Sequence, residues 1–193
     1  KMGCELKIAE SCKIYAFLAI ENLKKTEEGK KYLEKGCDLK SAKSCLVMGN
    51  IFRNAGDIKK SIEFYKKGCS LKEINSCFFA GTMEYQFNKN IAEALKYYTP
   101  GCDQGHALSC NQIGDIKEKK FKKYKEAEKY YKIACDANTA VGCLSMGDFT
   151  ERILKNLSDA KKYYEKACGI KANDEFNSAE YSKIACEKLA NLK

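Results

Sequence analysis

Cysteine is the residue type with the most evident chemistry in this 193-residue sequence, which holds twelve cysteines and a single histidine. Ten of them form five pairs with the spacing C-x7-C, and the last two are 18 residues apart. The first cysteines of successive pairs are separated by 32 or 33 residues. Thiols arranged in this way can form disulfides or bind a metal. The pairs are Cys4–Cys12, Cys37–Cys45, Cys69–Cys77, Cys102–Cys110, Cys135–Cys143 and Cys168–Cys186.

The spacing favours disulfides across a turn over a zinc site. Two residues eight apart in one helix would be about 12 Å apart, whereas a disulfide needs Cα atoms within roughly 7 Å, so the chain must reverse between them. Structural zinc sites favour C-x(2–4)-C spacing and histidine ligands. We therefore expect six nearest-neighbour disulfides, no bound metal and no cofactor. Six disulfides are typical of an oxidising compartment, which indicates a secreted or periplasmic protein.

Other residues that could be catalytic do not form a recognisable group. A serine β-lactamase needs S-x-x-K together with S-D-N and K-T-G elements. The sequence has one S-x-x-K, Ser158 to Lys161, and neither of the other two elements. Ser158 is expected at a helix start, where it would act as an N-cap. His106 is expected alone in a turn, without a serine or cysteine partner. We therefore predict no catalytic residue.

The positions around the cysteines repeat as well, and they predict helices. The residue before each first cysteine is Gly or Ala, and the residue four after each second cysteine is also Gly or Ala. Bulky residues stand four and five before the first cysteines. Small residues on one helix face allow a neighbouring helix to approach closely, and aromatic residues supply buried area. Each unit is thus predicted to be two short amphipathic helices joined by a disulfide-bonded turn.

This repetition predicts one domain over residues 1–193, an all-α, right-handed α/α superhelical solenoid of 32–33-residue disulfide-stapled helix hairpins. The chain starts at Lys1 rather than Met, so we interpret the N-terminal repeat as truncated. The ten extra residues in the last cysteine pair predict that residues 169–193 form a loop, 169–177, followed by a C-terminal capping helix, 178–192.

Composition limits the classes of partner. No apolar run is long enough to predict a membrane span. The net charge of +9 could favour nucleic acid, but we interpret the lysines as scattered along the helices rather than clustered. Arginine, which usually reads guanine edges and phosphates, occurs only at Arg53 and Arg152. We therefore expect no nucleic-acid binding, and we expect a monomer.

Two segments carry a family resemblance. "EAEKYYKIAC" (126–135) and "SDAKKYYEKAC" (158–168) resemble Sel-1-like repeats, which are relatives of tetratricopeptide repeats. The C-x7-C pair in every unit resembles the Helicobacter cysteine-rich protein family, although units of 32–33 residues are shorter than that family's usual repeat. The resemblance implies a secreted α/α solenoid. It also implies an alternative function, since family members are described as penicillin-binding proteins or weak β-lactamases. A more distant resemblance, to a cysteine-rich assembly factor of the mitochondrial intermembrane space, leaves a redox or assembly role open.

The resemblance to tetratricopeptide repeats also implies where a partner binds. Residues five and eight after each second cysteine would face a concave groove, which would be apolar in the first repeat and acidic in the last two. We hypothesise that this groove binds a peptide or protein, with a host receptor or a cell-wall peptide as candidates. An alternative is that the acidic residues are ordinary exposed carboxylates balanced by Lys119 and Arg152. The predicted partner-binding residues are Asn50, Arg53, Thr82, Tyr85, Asp115, Glu118, Asp148 and Glu151.

Overall fold

The computed structural model describes residues 1–21, 23–171 and 178–192, and within these ranges every regular element is an α-helix. The helix-hairpin pattern predicted from the repeat is thereby confirmed. The helices are α1 (Met2–Glu5), α2 (Ala9–Glu21), α3 (Thr26–Asp38), α4 (Ala42–Asn54), α5 (Ile58–Ser70), α6 (Ile74–Gln86), α7 (Ile91–Asp103), α8 (Ala107–Lys119), α9 (Tyr124–Asp136), α10 (Ala140–Arg152), α11 (Leu157–Gly169) and α12 (Ser178–Asn191).

The cysteines hold one register along the helices. Each repeat has a first helix that ends at its first cysteine (α1, α3, α5, α7, α9, α11) and a second helix that contains its second cysteine (α2, α4, α6, α8, α10, α12). From α2 to α11 every helix is 13 residues long. The first cysteine is the twelfth residue of α3, α5, α7, α9 and α11, and the second is the fourth residue of α2, α4, α6, α8 and α10.

All six disulfides join the predicted pairs, and no cysteine is free. Their Cα–Cα distances lie between 4.2 and 4.8 Å, so the chain does reverse between the two cysteines. The turn inside each of the first five hairpins has a residue with positive φ three positions after the first cysteine, and these residues are Lys7, Lys40, Lys72, Gly105 and Asn138. A helix that ends in this left-handed conformation satisfies its last carbonyls. The backbone amide of Ser41, for example, donates to the carbonyl of Gly36 at 2.9 Å.

A pair of small residues lies beside each of the first five disulfides. A Cβ placed on Gly36 would be 2.7 Å from Ser44 Oγ, and a Cβ on Gly101 would be 2.7 Å from Ser109 Oγ. The fifth hairpin reverses the pattern, because Ala134 faces Gly142 and a Cβ on Gly142 would meet the Ala134 carbonyl. The short Cα–Cα distance across each disulfide therefore leaves room for a side chain larger than hydrogen on only one of the two facing residues.

The helices pack in two compact units, Lys1–Tyr97 and Tyr98–Lys193. In the first unit each helix from α1 to α6 contacts its chain neighbours, and α4 also contacts α6. In the second unit α8 to α12 contact their neighbours in the same way, and α10 also contacts α8 and α12. Both cores are formed by buried cysteines, alanines and aromatic residues. Contacts between sequence neighbours are what a repeat array requires.

The last helix departs from the register of the others. Cys186 is the ninth residue of α12 rather than the fourth, so α12 begins about one turn earlier relative to its disulfide. The helix predicted over 178–192 is observed as Ser178–Asn191. Of the predicted loop, Gly169 belongs to α11 and residues 172–177 lie outside the described residues.

Among the described residues, no helix is both long and apolar enough to cross a membrane.

Candidate functional site

Buried tyrosines organise the second-helix face, by which we mean the residues four, five and eight after each second cysteine. Tyr65, Tyr131 and Tyr164 are almost completely buried and stand four before a first cysteine. Each ring packs on the glycine four after the preceding second cysteine, so closely that a Cβ on Gly114 would be 2.7 Å from the ring of Tyr131. Each phenol then points to a polar residue at the five-after position. Three of the predicted partner-binding residues, Asn50, Asp115 and Asp148, are therefore hydrogen-bonded to the helix that follows them.

In the fourth repeat this arrangement buries a carboxylate. The hydroxyl of Tyr131 donates to Asp115 at 2.7 Å and lies 3.0 Å from Glu118, which is 4% exposed. Arg152 on α10 pairs with the other oxygen of Glu118, and Lys119 pairs with Asp115 at 2.8 Å. Burial and the two neighbouring carboxylates raise the pKa of Tyr131 far above its ordinary value. The phenol therefore stays protonated and serves as a fixed donor.

In the fifth repeat the same residues line an open cleft. The hydroxyl of Tyr164, which has one hydrogen to donate, lies 2.6 Å from a carboxylate oxygen of Asp148 and 2.6 Å from one of Glu151. The cleft has a volume of about 650 Å³ and is lined by Asp148, Glu151, Arg152, Lys155, Leu157 and Lys188. Lys188 on α12 enters it, with its Nζ 3.0 Å from Asp148 and 5.6 Å from the centre of the Tyr164 ring. Burial raises the pKa of Tyr164, and the hydrogen bonds to both carboxylates raise it further.

In the first unit the predicted positions are polar and partly buried. Asn50 accepts from Tyr65 at 2.7 Å. The guanidinium of Arg53 lies 4.9 Å from the centre of the Phe79 ring. The hydroxyl of Thr82 donates to the Phe78 carbonyl at 2.9 Å, and Tyr85 is half-buried.

The four acidic positions do not form an unbalanced negative surface. Asp115, Glu118 and Asp148 each pair with a cation, and Glu118 is buried. Lysine and arginine side chains outnumber the two carboxylates around the cleft. The pairs of Lys119 and Arg152 agree with the interpretation in which cations balance these carboxylates, but Glu118 is buried rather than exposed and Asp148 pairs with Lys188. The partner-binding role of the eight residues stays a prediction.

Sequence reasoning missed two charged residues of these faces. Glu84 is 4% exposed and pairs with Lys66 at 2.7 Å. Burial alone would raise the pKa of Glu84, but hydrogen bonds from Lys66 and Asn88 hold it below its usual value. Lys188 was also missed, because it belongs to the helix whose register is shifted. Neither residue has counterparts at equivalent positions, so the repeat carried no signal for them.

The surroundings of Ser158 and His106, the residues considered for catalysis, indicate structural roles. Ser158 is the second residue of α11 and is exposed, as is Lys161. The expected N-cap role of Ser158 is wrong, since Asn156 caps this helix by accepting from the Asp159 amide at 3.0 Å.

The expected isolation of His106 is also wrong. Its Nδ1 lies 2.8 Å from Ser109 Oγ. Ser109 is fully buried, and burial lowers the pKa of His106. Both residues belong to the first turn of α8, for which His106 is the N-cap residue. This contact therefore fits a helix start better than a reactive centre.

Family models match the repeats directly. The tetratricopeptide repeat model matches residues 42–75 and 144–174. The Sel1 repeat model matches residues 76–106 and 110–139. Together the four segments cover about two thirds of the chain. No curated protein matches the sequence significantly.

Solved structures share the fold at low sequence identity. The Sel1 repeat protein from Oxalobacter formigenes aligns with a TM-score of 0.66 and 17% identity, over 89% of this chain and 75% of that one. A protective antigen of uropathogenic Escherichia coli with an SLR fold gives 0.76 and 11%, over 98% of this chain and 44% of that one, so the chain spans less than half of that antigen. YrrB, a TPR protein described as having an unusual peptide-binding site, gives 0.57 and 16%, over 92% and 93%. These likenesses confirm the solenoid fold class. The resemblance to the Helicobacter cysteine-rich protein family is consistent with these matches. Together, the family models and the solved structures show that the chain is a repeat protein of the Sel1 and tetratricopeptide type.

Proposed function

We propose that the chain is a protein-interaction scaffold of a secreted or periplasmic compartment, and that its second-helix face binds a peptide or protein segment. Repeat proteins of this type generally bind proteins or peptides through the surface that successive repeats share. The six disulfides support an oxidising compartment. A host receptor and a cell-wall peptide both fit this description of the partner.

The position of Lys188 carries the proposal for the cleft of the fifth repeat. Asp148 and Glu151 are held in place by the Tyr164 phenol, which is itself buried. A lysine from α12 then lies against Asp148 and over the Tyr164 ring, in the geometry of an ion pair combined with a cation–π contact. Side chains that are already fixed in one conformation before a partner arrives lose less conformational entropy when it binds. The cleft is thus suited to a lysine or arginine of a partner, for which Lys188 is an internal substitute.

A peptide array tests this proposal. We expect the full disulfide-bonded chain to bind 15-residue peptides rich in Lys and Arg, and to discriminate against the same peptides with Glu in those places. The charge-neutralising variant D148N/E151Q should lose about tenfold in affinity, as the loss of one charged hydrogen-bonded pair implies. The matched control is E63Q/E165Q, which removes the same number of charges from exposed carboxylates on the first helices α5 and α11 and should bind as the wild type does.

Lys188→Ala separates direct competition from general charge effects. Removing the internal lysine should strengthen the binding of basic peptides several-fold, because the peptide no longer displaces it. Weaker binding by this variant, or equal binding by D148N/E151Q, would contradict the cleft. Hydrolysis of the β-lactam nitrocefin that is lost on Ser158→Ala would contradict the scaffold function and favour the enzymatic alternative.

A further inference from the structure

The turns between repeats carry a second kind of surface, made of exposed apolar side chains next to lysines. The turn between α8 and α9, together with the helix ends on either side, reads KEKKFKKYK over residues 117–125, with six lysines in nine residues. Phe121 and Tyr124 in this turn are 46% and 41% exposed. The expectation that lysines are scattered along the chain therefore fails at this turn.

Three lysines of this turn have no carboxylate partner among the described residues. Lys117 and Lys123 pair with Glu126, and Lys119 pairs with Asp115. Lys120, Lys122 and Lys125 make no such pair, and all three are exposed. Lys122 also has positive φ, which places it at the tip of the turn.

The neighbouring turn extends the patch. Leu154 and Leu157, between α10 and α11, are 43% and 51% exposed and flank Lys155. The ion pair of Arg152 with Glu118 joins the C-terminal end of α10 to that of α8. Both turns therefore lie on the same side of the second unit. We call Lys120, Phe121, Lys122, Lys125, Leu154, Lys155 and Leu157 the turn patch; its Lys155 and Leu157 also line the cleft of the fifth repeat.

We propose that the turn patch binds the surface of an anionic lipid bilayer. Lysines near such a surface each contribute attraction to the acidic headgroups, and exposed Phe and Leu side chains enter the boundary between headgroups and acyl chains. The same combination recurs in the first unit, at Leu23 with Lys24 and at Phe87 with Lys89. Isolated exposed leucines are ordinary, but an apolar residue beside a lysine at four turns is a consistent pattern. Leucine does not stack on bases, and arginine is nearly absent, so a lipid surface fits better than a nucleic acid.

Vesicle co-sedimentation tests the binding. We expect the full chain to bind vesicles of phosphatidylcholine with 30% phosphatidylglycerol, more weakly at high salt, and not to bind pure phosphatidylcholine. Each lysine near the surface is worth about a fivefold change in partitioning, so K120Q/K122Q/K125Q should lower the partition coefficient about a hundredfold. The matched control is K129Q/K132Q/K183Q, which removes the same charge from exposed lysines within α9 and α12 that have no carboxylate partner among the described residues and should keep most of the binding.

A tryptophan reporter tests insertion separately. The chain has no Trp, so Phe121→Trp supplies a single indole at the tip of the turn. Its emission should shift to shorter wavelength on anionic vesicles and stay unchanged on zwitterionic ones. Equal losses by the two triple variants, an unshifted emission, or displacement of the protein from vesicles by a single-stranded oligonucleotide would overturn the proposal.

Discussion

At the scale of single residues, the phenol hydroxyls explain why polar side chains are tolerated beside a buried core. Tyr131 is 1% exposed and touches two carboxylates with its one hydroxyl. In the second repeat, Leu33 stands at the position equivalent to Tyr131. The residue five after the preceding second cysteine, Cys12, is Phe17. In three repeats a phenol four before a first cysteine thus occurs together with an amide or carboxylate five after the preceding second cysteine, and Leu33 occurs together with Phe17. The five-after positions are therefore chosen at least partly for the fold.

Tyr131→Phe measures this contribution. The variant leaves Glu118 buried with fewer donors, so the free energy of unfolding should fall by about 1–3 kcal/mol. Tyr130→Phe is the control, because Tyr130 is adjacent in sequence and only partly buried. Denaturant unfolding under non-reducing conditions gives the comparison, and equal effects of the two substitutions would contradict the role assigned to Tyr131.

The raised tyrosine pKa values predict a loss of stability in alkali. The pKa of Tyr164 in the folded chain lies above that of an unfolded tyrosine, which is about 10. The folded state therefore retains a proton that the unfolded state releases above that pH. The stabilisation is complete below pH 10 and decreases as the pH rises further. Unfolding curves at pH 8 and pH 10.5 should show a smaller decrease for Tyr164→Phe than for the wild type, and parallel decreases would rule out this tyrosine as a cause.

Sequence could locate these residues but not their contacts. The resemblance to tetratricopeptide repeats assigned Asp115, Glu118, Asp148 and Glu151 to one face, and in the structure they lie on the second helices α8 and α10. It could not show that Glu118 is buried against Tyr131 and paired with Arg152, because Arg152 belongs to the next repeat, 34 residues later. The long, flexible side chains of Arg and Lys acquire defined partners only after the helices have packed.

At the scale of helices, the small residues beside the disulfides act as matched pairs. Gly68 faces Ser76, whose Oγ is buried and has no hydrogen-bond partner among the described residues. Ala134 faces Gly142 in the same geometry. The glycine is the first member of the pair at Gly68 and the second member at Gly142. The close approach of the two helices therefore limits the combined volume of the two facing side chains.

A double-mutant cycle tests this pairing. Gly68→Ala should destabilise the chain by about 1–3 kcal/mol, because the new methyl group overlaps Ser76. Adding Ser76→Gly reproduces the Ala134–Gly142 arrangement and should recover most of that loss, giving a coupling free energy well above the uncertainty of additivity. Purely additive effects of the two substitutions would show that the crossing is not sterically limited.

Helices were the most predictable level of the structure. The cysteine register and the small and bulky positions located the helix pairs, and the reversal between paired cysteines followed from the length of a disulfide. The N-cap of α11 was misplaced, since Ser158 and Asn156 are both good caps and only the backbone distinguishes them. The shift of α12 relative to its disulfide could not be read from the repeat, because the ten extra residues interrupt it.

At the scale of the whole molecule, disulfides carry much of the stability that a thin helical array lacks. Closing a hairpin loop of this length contributes about 2–3 kcal/mol in the chain-entropy model, and the longer Cys168–Cys186 loop contributes about 3 kcal/mol. Replacing Cys135 and Cys143 together by Ala should therefore lower the free energy of unfolding by about 2–3 kcal/mol. Non-reducing denaturant unfolding checks this, and a loss below 0.5 kcal/mol would mean that packing alone holds the hairpin.

The placement of the lysines relative to the disulfides has a consequence for proteolysis. Lys40 and Lys72 lie inside disulfide-closed rings, whereas Lys122 and Lys155 lie in the turns between rings. Trypsin cleavage after Lys40 leaves a nicked chain whose two pieces stay covalently joined, and only a reducing gel reveals the cut. Cleavage after Lys122 separates the pieces even without reductant. The chain therefore contains successive disulfide-closed rings. A cut within a ring leaves the two pieces joined by its disulfide, and only a cut between two rings separates them.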